Sequence, residues 1–235
     1  LTEEGRNRRD FRDQVIFESA DVRKQDGEPY RVFTPYKKAW LRRFDEEDLN
    51  GAAPDLPHEP DLSCLMPAEE LRDLGDDVTL GDLGFTPVDL WLDAGEEAAR
   101  KRLGAFLPAM ARYRDDRDFP SREGTSGLSV HLRFGTISIR ECVRAARGAR
   151  PASAAEPAGH ATWLSELIWR EFYQMILDRF PFVASHAFQQ QYNGIRWPGT
   201  EAHFDAWCEG RTGFPIVDAA MRQFNATGWM HNRMR

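Results

Sequence analysis

The longest helical pattern in the chain lies in residues 162–180. Its apolar positions cover most of a helical circumference, which is typical of a helix buried inside a helical domain. Phe180-Pro181 ends the pattern, because proline lacks the backbone N–H that continues a helix. The apolar positions are Trp163, Leu164, Leu167, Ile168, Phe172, Ile176 and Leu177.

Three further helices are predicted by their start and stop signals, over about residues 95–113, 138–148 and 215–228. The signals are Pro108 as a kink, the capping box Ser138-x-x-Glu141, Pro215 at a helix start, and Gly148 and Gly228 at helix ends. No strand pattern occurs after residue 120. We therefore expect residues 94–235 to form an all-α domain.

The first 48 residues follow a different pattern. A strand-like run at residues 14–17 (Gln-Val-Ile-Phe) precedes a turn at Asp26-Gly27, and Thr34-Pro35 opens a helix. We interpret residues 1–48 as the end of an α/β unit, since one strand and one helix cannot bury a core. Residues 49–93 are predicted to be a linker, because their first part is rich in proline and lacks periodicity. The fold class is then mainly α, with an α/β remnant, a linker and a partial all-α domain.

The net charge of −7 is unevenly distributed. Residues 1–100 carry 13 Lys and Arg against 25 Asp and Glu, whereas residues 101–235 carry 18 against 13. A polyanion would therefore bind the C-terminal half, although a solvated surface of mixed charge explains the same numbers. Of the 31 cationic residues 27 are arginines, which suit bidentate phosphate contacts.

The three cysteines (Cys64, Cys142 and Cys208) and the six histidines are scattered along the chain. This distribution argues against a metal site and favours a reducing compartment, the cytoplasm. No apolar run is long enough to predict a membrane span, and no signal peptide is visible. The chain lacks an initiator Met and stops without a helix cap or polar tail, so we expect an internal piece of a longer protein.

Residues 124–129 (Gly-Thr-Ser-Gly-Leu-Ser) are a candidate phosphate site. The two glycines allow a sharp turn, the hydroxyls donate hydrogen bonds, and the start of the next helix supplies free N–H groups. An ordinary Ser/Thr helix cap explains the same residues.

A polar stripe interrupts the buried helix. Glu166, Trp169, Arg170 and Tyr173 follow at i, i+3, i+4 and i+7, so they share one face. Burial of such groups without partners is costly. Either Glu166 pairs internally with Arg170, or the stripe forms the wall of a functional cavity.

Aromatic and cationic residues are dense toward the C-terminus. Five of the seven tryptophans lie after residue 160, where they could pack a core, stack a flat ligand or relay electrons. The terminal Asn232-Arg233-Met234-Arg235 offers an amide and two guanidinium groups for phosphates or a ring edge.

Together these motifs resemble the DNA photolyase/cryptochrome family. The sequences around Trp169 and Trp207 are most similar to those of class I cyclobutane-pyrimidine-dimer (CPD) photolyases. The matching residues are Tyr113, residues 125–129, residues 166–173 (Glu-Leu-Ile-Trp-Arg-Glu-Phe-Tyr), residues 207–221, residues 228–235 and residues 29–36. The last of these resembles the end of the antenna-binding α/β domain of the family, and residues 94–235 resemble the N-terminal part of its helical FAD-binding domain.

The resemblance implies a role for each matching residue. Glu166 and Trp169 would contact the flipped-out dimer, and Trp197 would be the exposed end of a tryptophan chain that carries electrons to the flavin. FAD would be bound by Tyr113, Thr125, Ser126, Gly127, Leu128, Ser129, Arg170 and Arg235. Damaged DNA would be bound by Arg117, Glu166, Trp169, Arg170, Tyr173, Asn232 and Arg233.

The function implied is light-driven repair of CPD lesions by electron transfer from excited reduced FAD, by a monomer that needs no metal. A folate or deazaflavin antenna would lie mostly outside this piece. The alternatives are a cryptochrome-type photoreceptor that signals through protein partners, and a (6–4) photolyase. Gly127 departs from the Arg or Lys that many relatives carry in the loop. Since the chain stops before other flavin-site motifs of the family, we expect this piece alone to bind FAD poorly and to be inactive.

Overall fold

The computed structural model describes residues 13–46, 78–86, 90–148 and 158–235. Within these ranges the chain is mainly α, as predicted, and its one β-bridge is isolated, between Arg23 and Pro29. The α-helices are α1 (Phe33–Glu46), α2 (Gly95–Met110), α3 (Tyr113–Asp116), α4 (Ser129–Phe134), α5 (Ile139–Arg147), α6 (Ala158–Arg179), α7 (Glu201–Cys208) and α8 (Pro215–Thr227). Short 3₁₀ helices span Pro181–Ala184, Gln190–Tyr192 and Asn232–Met234.

Helix α6 is the centre of the core. It packs against α1, α2, α3 and α5, and one side of it is almost fully buried. Because its apolar residues recur every three or four positions, they form a continuous buried face that the surrounding helices cover. The members of that face with the least exposure are Trp163, Leu164, Ile168, Phe172 and Met175.

The strand expected at residues 14–17 is wrong, since this segment is irregular. Its N–H groups bond instead to the α6 carboxylate of Glu171, which accepts from Ile16 N at 2.7 Å and Phe17 N at 3.2 Å. The same carboxylate accepts from Trp40 Nε1 in α1 at 2.6 Å. Because a side chain satisfies these backbone donors, the segment needs no neighbouring strand. This role of Glu171 is not predicted by any local sequence pattern.

Of the other elements predicted in the first 113 residues, some are confirmed and one is wrong. The turn at Asp26-Gly27 is confirmed, and α1 begins one residue before Thr34. The predicted helix over residues 95–113 is broken: α2 ends at Met110, two residues after Pro108, and α3 begins at Tyr113. The proline-rich residues 49–63 lie outside the described residues.

Both predicted ends of helix α8 are confirmed. Pro215 is its first residue, and Gly228 ends it in the left-handed conformation with φ of 70°. Gly148 likewise ends α5. Ser138 caps the start of α5, but it accepts from the N–H of Arg140 rather than from that of Glu141, so the predicted capping box is wrong. Helix α7 is absent from the predictions. It begins with a capping box in which Thr200 Oγ1 and the His203 ring exchange hydrogen bonds with each other's backbone N–H.

Candidate functional site

A cavity of about 670 Å³ opens between the polar stripe of α6, helix α3 and the 3₁₀ helix Asn232–Met234. This volume falls within the roughly 300–1,000 Å³ typical of ligand sites. Four arginines and one glutamate in its wall make it cationic. It is lined by Tyr113, Arg117, Thr125, Glu166, Trp169, Arg170, Tyr173, His231, Asn232, Arg233 and Arg235. We call it the main cavity. Of the residues that line it, His231 is the one that was not predicted from the sequence.

The main cavity exists because α6 buries its opposite face. Phe172 and Ile168 point into the core, which leaves the stripe of Glu166, Trp169 and Tyr173 toward the opening. Tyr173 is 62% exposed, so its phenol ring lies at the mouth of the cavity. The spacing of three and four residues seen in the sequence therefore brings these side chains together as predicted.

Glu166 pairs with Arg117 rather than with Arg170, so the internal pair considered from the sequence is wrong. Arg117 comes from the C-terminal end of α3, and its guanidinium also lies 5.6 Å from the ring centre of Tyr113. Arg170 points another way: it donates to the carbonyl of Gln14 at 2.5 Å and to that of Leu132 at 3.2 Å. The cationic neighbour of the Glu166 carboxylate is therefore Arg117 of the adjacent element, and not Arg170 of its own helix.

Tyr113 is 8% exposed and its ring packs edge-on against Phe106 of α2. Burial raises the pKa of its hydroxyl, and the nearby charge of Glu166 raises it further. The phenol is therefore neutral and available as a hydrogen-bond donor toward the cavity.

Trp169 is held by aromatic neighbours that the sequence did not indicate. Phe33 of α1 stacks on the indole with ring centres 3.5 Å apart and planes 9° apart. Tyr173 lies alongside at 5.3 Å and 23°, and Phe172 meets the ring edge-on at 5.6 Å. One face of Trp169 is therefore covered from the N-terminal segment of the chain.

Asp118 joins the two cationic residues at the rim. It accepts from Arg233 Nε at 2.7 Å and lies 3.7 Å from Arg117 Nε. His231 is 4% exposed, and its Nδ1 accepts from the N–H of Arg233 at 3.1 Å. Neither Asp118 nor His231 was predicted from the sequence, although each is a polar neighbour of a residue that was.

The loop at residues 124–129 enters the main cavity only through Thr125. Leu128 is 1% exposed and belongs to the core, and Gly127 turns the chain with φ of 63°. Ser126 lines a second cavity of about 440 Å³ beside the first, and Thr125 lines both. Ser129 is exposed at the start of α4. The loop thus separates two cavities.

Trp197 lies outside both cavities, in an irregular segment before α7, and is 85% exposed. Among the described residues, no group of three His, Cys, Asp or Glu side chains is arranged to hold a metal ion. In the same part of the chain, no helix has the length and apolar character needed to cross a membrane.

Comparison with known proteins identifies the fold. A family model for the FAD binding domain of DNA photolyase matches residues 163–235, and one for DNA photolyase matches residues 1–59. The deoxyribodipyrimidine photo-lyase of Escherichia coli strain K12 is 39% identical over 234 residues, which are 96% of this chain and 46% of that protein. The chain therefore spans about half the length of the curated relatives it matches.

Comparison with solved structures leads to the same family as the sequence comparisons. A bacterial class III photolyase from Agrobacterium tumefaciens superposes with a TM-score of 0.69 at 30% identity, covering 95% of this chain and 45% of that one. A cryptochrome from Synechocystis sp. PCC6803 shares the fold, with a TM-score of 0.62 at 20% identity over 94% of this chain and 44% of that one. The motifs, the family models and the superpositions converge: the chain belongs to the DNA photolyase/cryptochrome family.

Proposed function

We propose that the natural protein repairs cyclobutane pyrimidine dimers in DNA by a light-driven reaction that uses reduced FAD. One observation carries the proposal: Glu166, Trp169 and Tyr173 stand side by side in the wall of a cationic cavity. A base that is flipped out of a duplex needs a flat ring to stack on and polar groups at its edge. Trp169 would provide the ring, and the Glu166 carboxylate would accept hydrogen bonds from the pyrimidine N–H groups.

The rim of the main cavity suits the DNA backbone. Arg117 and Arg233 flank the opening together with Asn232, and Asp118 holds both guanidinium groups in position. Contacts to phosphates position a protein on DNA, and contacts to the base edge provide selectivity. Arg117 and Arg233 therefore take the first role, and Glu166 with Trp169 the second.

The residues present fit FAD as the cofactor. Arg170 and Arg235 place positive charge in the wall of the main cavity, where it would face the diphosphate. Tyr113 and Thr125 offer neutral hydroxyls in the same wall, and residues 126–129 offer the backbone of a sharp turn. When bound, reduced FAD would supply the electron that opens the cyclobutane ring. Trp197, being highly exposed, fits the outer end of an electron path to the flavin.

The test replaces the stacking ring in the longest natural form of the protein. W169A should bind dimer-containing DNA about 10- to 100-fold more weakly, because base stacking on an aromatic ring contributes roughly 1–3 kcal/mol. Its FAD content should equal that of the wild type. W207A is the matched control, since Trp207 is a half-exposed indole that lines neither cavity.

The readouts are affinity for a dimer-containing oligonucleotide, flavin absorbance, and recovery of pyrimidine absorbance under illumination. Repair that survives in W169A at the wild-type rate would rule out the assigned cavity. An oligonucleotide with a (6–4) lesion serves as the second substrate, and its repair in place of the CPD oligonucleotide would contradict the lesion assignment.

A further inference from the structure

Gly127 makes room for an arginine from another helix. Its φ is 63°, and a Cβ at this position would collide with the guanidinium of Arg102, with Cζ only 2.6 Å away. Arg102 belongs to α2, and its Nε donates to the carbonyl of Ser126 at 2.9 Å. The guanidinium thus lies directly on the turn of the loop, in space that any larger residue at position 127 would fill.

Among the described residues, one hydrogen bond of this guanidinium is found. Arginine carries five N–H donors, and the bond to Ser126 uses one. Within the described residues no carboxylate lies at ion-pair distance from Arg102. Burial lowers the pKa of His131, and the positive charge of Arg102 lowers it further.

The second cavity lies beside this guanidinium. Arg102, Thr125 and Ser126 line it together, and the two indoles of Trp91 and Trp229 form another part of its wall, with ring centres 5.4 Å apart. Arg102 itself lies over the Trp91 ring at 5.2 Å, which fixes the direction of the side chain. Residues 124–129 contain no cationic residue of their own. A half-buried guanidinium and two hydroxyl side chains therefore meet at one place.

We propose that Arg102 is the cation of the phosphate loop: it binds the diphosphate of FAD from α2, through the space that Gly127 leaves open. The inference rests on the proposed function in that FAD is taken as the ligand. A guanidinium fork matches two phosphate oxygens better than any other side chain does. Arg102 thus supplies, from a different helix, the positive charge that residues 124–129 lack.

A purely structural role makes a different prediction. If Arg102 only holds the Ser126 carbonyl, its removal would loosen the loop and affect any ligand equally at every ionic strength. If Arg102 contacts phosphate, the loss appears only with phosphate-bearing ligands and shrinks at high salt, where charges are screened. Ionic strength therefore separates the two roles.

The experiment measures binding of FAD and of inorganic pyrophosphate to the longest natural form of the protein. R102A should weaken FAD binding about 10- to 100-fold at 50 mM NaCl, in line with the loss of a charge-assisted pair, and clearly less at 500 mM. R100A is the matched control: Arg100 is on the same helix but is exposed and paired with Glu96. Its FAD affinity should stay within twofold of the wild type.

Moving the charge provides a second test. G127R alone should lower the melting temperature, because two guanidinium groups would compete for one space and a non-glycine residue at positive φ is strained. In R102A/G127R the space is free, and the loop arginine should restore most of the FAD affinity lost in R102A. Thermal melting of each variant distinguishes a folding defect from a binding defect. If R102A does not fold, R102K replaces it and should show an intermediate loss of FAD affinity.

The results separate the inference from the function on which it rests. FAD binding by R102A equal to that by R100A overturns the role of Arg102 and leaves the proposed function intact. A wild type that binds neither FAD nor pyrophosphate overturns both. Pyrophosphate binding that depends on Arg102, without FAD binding, supports the anion site and contradicts the cofactor.

Discussion

Glu171 shows how one buried side chain can govern a segment. Its carboxylate is 3% exposed and accepts from two backbone N–H groups and one indole. Burial nevertheless dominates, and it raises the pKa of Glu171 from 4.5 to about 7, against the lowering effect of these hydrogen bonds. The folded protein therefore binds a proton at this site more tightly than the unfolded chain does.

This difference predicts a stability that depends on pH. The stabilisation from the bound proton is complete below about pH 4.5 and is lost as the pH rises through about 7, a change of roughly 3 kcal/mol in the free energy of unfolding. In E171Q this contribution disappears, because the amide does not titrate. The measurement is denaturant unfolding of both proteins at pH 5 and pH 8.

The comparison with E171Q is needed because two histidines act in the opposite direction. Burial lowers the pKa of His131 and of His231, so the stability that they contribute is lost as the pH falls. Both histidines remain in E171Q, and subtraction removes their effect. If the wild type and E171Q showed the same change between pH 5 and pH 8, Glu171 would not titrate as inferred.

At the scale of elements, the start of α6 is in close contact with the end of α2, and Gly159 of α6 lies at the point of contact. A Cβ at Gly159 would collide with the carbonyls of Met110 and Ala111, and the carbonyl carbon of Ala111 would lie 2.5 Å from it. These atoms are backbone and cannot rotate aside. G159A should therefore destabilise the protein by about 2 kcal/mol or more, although alanine favours helices by about 1 kcal/mol over glycine.

Gly104 is the matched control for this prediction. It lies within α2 and is exposed, and a Cβ added there would meet no other atom within 4 Å. G104A should raise the free energy of unfolding by up to about 1 kcal/mol through helix propensity alone. Urea unfolding of both variants measures the contrast, and equal effects of the two substitutions would contradict the close helix approach.

The elements that the sequence predicted well are those with local signals. Helix α8 has proline at its start and glycine at its end, and α6 has an apolar pattern long enough to outweigh its polar stripe. Helix α7 was missed because it has eight residues and buries none of them. The strand at residues 14–17 was wrongly predicted because its partner is the carboxylate of Glu171, which lies more than 150 positions away.

The residues of the site also differ in whether a local sequence signal predicts them. The α6 stripe could be found because its spacing is local, and family resemblance added Arg117, Asn232 and Arg233. Asp118, His231 and Phe33 were not found, since each acts through a contact between distant segments. The pairing of Glu166 with Arg117 likewise depends on how α3 packs on α6.

At the scale of the whole molecule, the N-terminal segment and the main cavity meet at Trp169. Helix α1 packs on α6, and besides the Glu171 bonds, Lys37 donates to Ser165. Phe33, the first residue of α1, covers one face of the indole proposed to stack on the dimer. The orientation of that indole therefore depends on the docking of α1, and any change at this contact should be transmitted to the cavity.

Removal of the Phe33 ring tests this dependence. F33A should weaken binding of dimer-containing DNA about 3- to 10-fold, because a stacked aromatic pair contributes roughly 0.5–1.5 kcal/mol and Trp169 would then sample other orientations. V32A is the control, since Val32 is the neighbouring residue and is 61% exposed. Affinity for the oligonucleotide, near-ultraviolet circular dichroism of the tryptophans and thermal melting are measured together. A loss of affinity in F33A with an unchanged tryptophan signal would contradict the mechanism, because the effect of Phe33 on DNA is expected to pass through Trp169.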